Sequence, residues 1–223
     1  MARTTAEFGS WISPIGTQLL TAKTVGLSEP CIQGENSFWL ESRPWEKGRS
    51  ALVTRDAQGR TRDILPKPIN VRTRVHEYGG GSYLIHGDWV YFVAFDDQRI
   101  YRQSLSDARP LPEPITPEGP WRYADMCMDE TRSQLICVRE DHSEAHEEAC
   151  NEVIAIALDK TDTPLTVLCS GNDFYSNPRL SPNSEKLSWL TWQHPNLPWD
   201  ETECWLADID ASGQLSNAQC VAG

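Results

Sequence analysis

A hydrophobic run recurs four times along the chain at nearly regular intervals. The runs are centred on Trp39, Phe92, Cys137 and Trp189, which lie roughly 45 to 53 residues apart. In the best-defined copy, residues 177–209, a Ser-Pro-Asn-Ser turn precedes one alternating apolar run and a polar loop separates that run from a second. Alternation bounded by turn residues is typical of antiparallel strands. The chain is therefore expected to fold as a series of similar β-sheets.

Two further stretches follow each run. The second stretches are residues 51–54, 100–105, 153–158 and 204–209, and the weaker outer stretches are 62–65, 111–115, 165–169 and 215–221. Four strands in each of four repeats is the pattern of β-propeller blades. The sequence predicts an all-β fold, a partial propeller of about four blades with four antiparallel strands each. The predicted blades are residues 27–66, 74–116, 120–170 and 173–223, after an amino-terminal leader of residues 1–26.

Charge and composition restrict the partners of such a fold. The 223 residues carry a net charge of -12, which argues against nucleic-acid binding and favours cationic ligands such as a peptide amino terminus. No apolar stretch approaches the length of a membrane span, and the first nine residues lack the apolar segment of a signal peptide. Seven cysteines form no C-x-x-C pair and favour structural thiols in a reducing compartment. A cytoplasmic location without membrane contact is expected.

Three consecutive glycines, residues 79–81, follow Arg74-Val75-His76-Glu77-Tyr78. A phosphate cradle would require a helix after the glycines and a Lys with Ser or Thr, none of which the sequence provides. The favoured interpretation is an inner strand that passes close to another backbone or adopts positive φ. The remaining alternative places His76 or Glu77 at a central cavity, where an acidic side chain could contact a cationic ligand.

The acidic segment 141–148 contains His142 and His146 four residues apart. Two His at this spacing can share a helix face and bind a metal, but the order differs from H-E-x-x-H and no third ligand is identifiable. A solvated hairpin loop is the favoured interpretation, and neither a metal site nor another cofactor is predicted.

Catalytic residues are not recognisable in this sequence. There is no G-x-S-x-G turn to present a nucleophile, and adjacent carboxylates such as Asp96 and Asp97 look like turn residues. The Trp-rich loop 192–200 contains His194 before a proline, where packing or recognition is favoured over proton transfer. Its two outer tryptophans could pack over the blade or form part of a ligand rim.

Four motifs in the same order resemble one known family. They are G-S-W-x-S-P-I at residues 9–15, R-V-H-E-Y-G-G-G at 74–81, I-C-V-R-E-D-H at 136–142 and S-W-L-T-W-Q-H-P-N-L-P-W-D at 188–200. The chain resembles, over essentially its whole length, the amino-terminal β-propeller of the prolyl oligopeptidase family of serine peptidases. The likeness is greatest to the acylaminoacyl-peptidase and dipeptidyl-aminopeptidase-like branch. The turn at residues 181–184 departs from the usual S-P-D-G, and Glu201 stands where a glycine is expected.

The resemblance implies a propeller of TolB-like or prolyl-oligopeptidase type that caps an α/β-hydrolase domain, which this chain lacks. It implies no peptidase activity for these residues alone. The implied role is to gate the active site and to help select short peptides, with Glu77, His76 and His194 as tentative substrate contacts.

Two other functions remain open, a stand-alone binding module and a metal-dependent lactonase-like propeller enzyme. Open blade edges are also expected to make the isolated chain self-associate, close incompletely or be only marginally stable. Sizing and thermal melts test this expectation, and a monodisperse monomer that unfolds cooperatively would contradict it.

Overall fold

The computed structural model of the protein describes residues 5–20, 24–107, 111–144, 148–159 and 165–223. A short helix, α1 (Thr17–Leu20), precedes the strands, and a single 3-10 turn (Pro44–Glu46) interrupts the first sheet. No helix within these ranges combines the length and apolar character needed to cross a bilayer. The remaining regular structure within these ranges consists of β-strands.

In the part of the chain that the structure describes, sixteen strands form four separate four-stranded antiparallel sheets in chain order. The first sheet contains β1 (Gly26–Gln33), β2 (Asn36–Arg43), β3 (Arg49–Arg55) and β4 (Thr61–Asp63). The second contains β5 (Tyr83–His86), β6 (Trp89–Val93), β7 (Ile100–Ser104) and β8 (Glu113–Pro114). The third contains β9 (Trp121–Asp129), β10 (Gln134–Asp141), β11 (Cys150–Ala157) and β12 (Thr166–Ser170). The fourth contains β13 (Phe174–Leu180), β14 (Lys186–Trp192), β15 (Glu203–Ile209) and β16 (Leu215–Ala222).

Each sheet is a simple meander whose first strand contacts the first strand of the next sheet. Four meanders arranged around their first strands are propeller blades, which confirms the predicted all-β fold. The four runs recognised in the sequence are the second strands, β2, β6, β10 and β14. In the Ser-Pro-Asn-Ser turn, Ser184 adopts φ 56°, the left-handed conformation that favours glycine.

Three hydrophobic cores lie between the four blades, one at each junction. In β10, Leu135 and Cys137 pack toward the second blade, whereas Ile136 and Val138 pack toward the fourth. Because this strand is buried on both faces, its sequence is a continuous apolar run and not an alternating one. The fourth blade alternates more clearly, since Leu187 and Trp189 are buried in β14 while Ser188 and Leu190 are partly exposed.

A β-bulge bends the first strand of three blades at equivalent positions. Glu29, Asp125 and Asn177 are the bulged residues, with φ of 49°, 57° and 51°. They lie opposite Trp39, Cys137 and Trp189, the same positions that align the sequence repeats. A bulge changes the direction in which the side chain of the extra residue points. Here the carboxylates of Glu29 and Asp125 point to neighbouring blades.

These carboxylates connect the inner strands. Glu29 accepts hydrogen bonds from the Ser82 backbone N–H at 2.8 Å and the Ser82 hydroxyl at 2.9 Å. Asp125 accepts from the Gly81 N–H at 2.5 Å with one oxygen and from the Asn177 N–H at 3.0 Å with the other. One buried aspartate of β9 thus holds both the segment that leads into β5 and the strand β13 of the fourth blade.

The three glycines are required for two different reasons. Gly79 has φ 97°, which disfavours any side chain. Gly80 and Gly81 have no positive φ, but a Cβ would lie 3.0 Å from the Ala124 Cβ and 2.9 Å from an Asp125 oxygen, respectively. The close backbone approach and the positive φ of the favoured interpretation are confirmed, but the glycines lie in the segment before β5 and not within a strand.

Candidate functional site

A cavity of about 390 Å³ opens where the turn before β5 meets the third and fourth blades. The turn contributes His76 and Glu77, and the ends of β10 and β11 contribute Glu140 and Asn151. The fourth blade contributes the remaining wall through Asp173, Phe174 and His194. The three substrate contacts expected from the sequence, Glu77, His76 and His194, therefore lie at one cavity.

His76 and Glu77 both adopt the left-handed backbone conformation in the turn before β5. His76 has φ 55° and Glu77 has φ 64°. The His76 backbone N–H donates to a Glu140 oxygen at 2.6 Å, and the Glu77 carboxylate pairs with Arg122 at 2.6 Å. Glu77 is thus already neutralised by an arginine, and the hydrogen bond from Arg122 lowers the pKa of this exposed carboxyl.

Glu140 and Asn151 are cross-strand partners in β10 and β11, and each is only 3 % exposed. Glu140 also contacts the His142 ring at 3.0 Å, and the Arg122 guanidinium lies 3.8 Å away. The Asn151 amide nitrogen donates to the Ala149 carbonyl at 3.3 Å. The floor of the cavity therefore consists of a buried carboxylate beside a buried amide.

Aromatic rings form the opposite wall. Phe174 stacks on Trp192 with centroids 5.2 Å apart, and His194 meets the Phe174 ring at 4.7 Å. His76 lies with its ring 5.0 Å from Trp192. Burial lowers the pKa of His76, and the nearby Glu140 and Asp125 carboxylates oppose that shift. The His76 ring, 5.6 Å from the Phe174 ring, adds a further ring to this wall.

The two outer tryptophans of the Trp-rich loop differ in exposure, and neither lines the cavity. Trp192 is 5 % exposed and packs in the wall, whereas Trp199 is 73 % exposed. His194 is fixed because its backbone N–H donates to Asp173 at 2.8 Å. The loop therefore both packs on the blade and contributes to the rim of the cavity.

Glu140, Asn151 and Phe174 were not expected as site residues. Glu140 lies in the I-C-V-R-E-D-H motif, so the sequence contained a signal for it, whereas the pairing of Asn151 with Glu140 depends on the β10–β11 register. His146, the second imidazole of the weighed metal site, lies outside the described residues. Within the residues described, no three His, Cys, Asp or Glu side chains are grouped to hold a metal ion.

A larger cavity of about 650 Å³ lies between the first and second blades. Its lining is mostly polar and includes Arg60, Arg62 and Asp88, of which Asp88 already accepts hydrogen bonds from Ser104 and Ser106. None of the residues expected from the sequence lines it. The cavity at His76 is therefore the better candidate site.

Comparison with solved structures places this architecture among known propellers. A puromycin hydrolase matches 98 % of the chain with 29 % identity and a TM-score of 0.84. A puromycin-hydrolyzing peptidase from Mycobacterium tuberculosis matches 99 % of the chain with 34 % identity and a TM-score of 0.84. TolB from Acinetobacter baumannii, at 13 % identity and a TM-score of 0.57 over 89 % of this chain and 44 % of its own, shares the fold alone. Neither a protein-family model nor a curated protein matches the chain.

The fold and its neighbours define the chain as a set of β-propeller blades. The chain spans 35 % of the puromycin hydrolase and 36 % of the mycobacterial peptidase. Its fold matches the propeller of a prolyl-oligopeptidase-family peptidase, the family that the four sequence motifs resemble.

Proposed function

We propose that this chain is the non-catalytic propeller portion of a serine peptidase, and that it gates and helps select short peptides for an α/β-hydrolase domain. The observation that carries the proposal is the match to two puromycin-hydrolysing enzymes over almost the whole chain. The sequence contains no G-x-S-x-G motif, and in this proposal the nucleophile comes from a separate domain. The catalytic partner in this proposal is therefore a hydrolase domain.

The geometry of the site is suited to selecting peptides and not to cleaving them. Its walls are aromatic and its floor is acidic, which favours a ligand that is apolar and positively charged at one end. A puromycin hydrolase variant has been solved with PGG, which supports a peptide as the ligand class here. In this proposal the protein acts in the cytoplasm, without nucleic acid or membrane as a partner.

Exposed apolar residues support contact with further protein. Leu27 and Ile32 are 69 % and 77 % exposed on the first blade, and Leu206 is partly exposed on the fourth. Faces of this kind are buried between blades elsewhere in the fold. Where no other protein covers these faces, we propose that the chain self-associates through them.

The test uses the gene product that joins this chain to its hydrolase domain, together with the 223-residue chain alone. The chain alone is expected to leave aminoacyl p-nitroanilides intact. The joined protein is expected to cleave dipeptide amides with a kcat/KM at least an order of magnitude above that for peptides of about 30 residues, because the propeller restricts entry.

A matched control is the joined protein with its catalytic serine replaced by alanine, which should abolish cleavage at both lengths. Hydrolysis by the 223-residue chain would refute the non-catalytic assignment. Equal kcat/KM for short and long peptides would refute the gating role.

A further inference from the structure

The segment that leads into the His76 turn contains two exposed arginines, Arg72 and Arg74. The residues that alternate with them along the segment, all buried, are Val71, Thr73 and Val75. Because alternate residues of an extended chain point to opposite sides, both arginine side chains lie on the solvent side of the segment. The segment is anchored to the second blade, since Val71 forms a β-bridge with Ala94.

Both guanidinium groups lie over the ring of Phe95. The Arg74 Cζ is 4.3 Å from the ring centroid, and the Arg72 Cζ is 5.2 Å from it. At these distances the negative face of the ring attracts a cation. A guanidinium uses its flat face for such a contact, so its in-plane N–H groups remain available as donors. The ring therefore positions two arginines and leaves their hydrogen-bonding edges free.

The buried Gln98 side chain fixes the arginine segment to the turn that contains the ring. Its amide oxygen accepts from the Arg74 backbone N–H at 2.7 Å, and its amide nitrogen donates to the Phe95 carbonyl at 2.9 Å. The Arg72 backbone N–H donates to the Val93 carbonyl at 3.2 Å. A site whose backbone is fixed before binding loses less conformational entropy when a ligand arrives.

Neither arginine forms an ion pair in the part of the chain that the structure describes. The two acidic residues that follow Phe95 do not supply one, because Asp97 accepts from the Tyr101 hydroxyl at 2.6 Å and Asp96 pairs with neither guanidinium. Adjacent like charges repel each other, and an anion near both is attracted by both. In a chain of net charge -12, this arginine pair, Arg72 and Arg74, is therefore suited to an anionic ligand.

The arginine pair lies beside the candidate site. Arg74 precedes His76 by two positions. The Arg122 guanidinium donates both to the Arg74 carbonyl at 3.0 Å and to the Glu77 carboxylate at 2.6 Å. An extended peptide advances about 3.3–3.6 Å per residue, so a peptide of two or three residues is long enough to reach from the cavity to the arginines.

We propose that Arg72, Arg74 and Phe95 form a carboxylate-binding site, and that its ligand is the free carboxyl terminus of a short peptide. The inference rests on the proposed function and adds a second point of recognition to peptide selection. Each guanidinium can donate two parallel N–H groups to a carboxylate. A longer peptide presents a neutral amide at the same place, so the arginine pair favours short peptides.

The experiment titrates the 223-residue chain with N-acetyl-alanyl-phenylalanine and with its carboxyl-terminal amide, by calorimetry and by amide NMR shifts. Acetylation removes the amino-terminal charge from both, so the acidic floor of the cavity does not distinguish them. The free acid is expected to bind, and the amide about tenfold or more weakly, because the amide lacks the charge that the arginines recognise.

A third ligand, N-acetyl-glutamyl-phenylalanine amide, has its only carboxylate on a side chain. It is expected to bind more weakly than the free acid, because its carboxylate is on a flexible chain that binding must order. Equal or tighter binding of this ligand would assign the site to acidic side chains and overturn the assignment to a carboxyl terminus.

Arg72→Gln and Arg74→Gln each remove one charge and keep a long polar side chain. Each is expected to weaken binding of the free acid about tenfold and to leave the weak binding of the amide unchanged. Arg62→Gln removes an exposed arginine from the first blade and should bind as the unaltered chain does. Near-ultraviolet circular dichroism checks the fold, and if one arginine variant fails to fold, the other decides the test.

Equal affinity for the acid and the amide would overturn the proposal, as would unchanged affinity in the folded arginine variants. Absence of saturable binding at tens of millimolar would also overturn it and would favour an acidic protein surface as the partner of the arginine pair. In each of these cases the gating role can still hold, because kcat/KM against the length of peptide amides measures it separately.

Discussion

Replacing Asp129 by alanine is expected to lower the free energy of unfolding by about 3–5 kcal/mol. The Asp129 side chain is fully buried and pairs with Arg132 at 3.0 Å, and the Gln134 amide donates to the same oxygen at 2.9 Å. Arg132 in turn donates to the backbone carbonyls of Asp210 and Ser184 in the fourth blade. Removing the carboxylate leaves a 10 % exposed guanidinium without its counter-ion at a junction between blades. Urea unfolding followed by tryptophan fluorescence measures the loss.

Asp208→Ala is the matched control because Asp208 also forms an ion pair, with Lys186 at 2.5 Å. That pair is 51 % and 43 % exposed, so water screens it and its loss should cost far less than the loss of the Asp129 pair. Similar losses in the two variants would contradict the assignment of Asp129 and Arg132 as a buried connection. A double-mutant cycle with Arg132→Ala isolates the coupling between the two side chains.

Asp125→Ala should lower the free energy of unfolding by about 3 kcal/mol, since two backbone N–H groups lose a charged acceptor. Those donors belong to Gly81 and Asn177, in the second and fourth blades. Alanine also tolerates the φ of 57° less well than aspartate does. Asp125→Asn, which keeps one acceptor oxygen, should lose about half as much. Thermal unfolding of the three proteins at one pH gives the comparison.

Asp56 provides the control for this second prediction. It too accepts two backbone N–H groups, from Gln58 and Arg60, but within a single turn that water can reach. Asp56→Ala should therefore lower the free energy of unfolding clearly less than Asp125→Ala does. If Asp125→Ala costs no more than Asp56→Ala, the inner strands are not held together by the Asp125 carboxylate.

The sequence was sufficient to predict the blades because each strand carries its own signal. Continuous apolar runs such as 135–138 and turns such as 181–184 are local features, and they recur with a regular period. The bulges at Glu29, Asp125 and Asn177 were not predicted. A bulge is defined by the register of a strand against its partner, and residue type alone does not show that one residue of the strand is extra.

The candidate site was predicted in part for the same reason. His76 and Glu77 stand beside glycines that mark an unusual backbone, and His194 lies in a loop rich in tryptophan and proline. Asn151 follows an acidic segment that gives no sign of what it will face, since its neighbour Glu140 is 11 positions earlier in the chain. Burial decides which polar atom lacks a hydrogen-bond partner, and burial is known only once the pairing of the strands is known.

The positions of the three cores predict which blades unfold first. The second and third blades each border two of the three cores, whereas the first and fourth each border one. Stability in such an array is close to a sum over nearest neighbours, as in a one-dimensional stack. Opening should therefore begin with a flanking blade and leave a folded central pair, so amide exchange would be slowest in β10, which packs against neighbours on both of its faces.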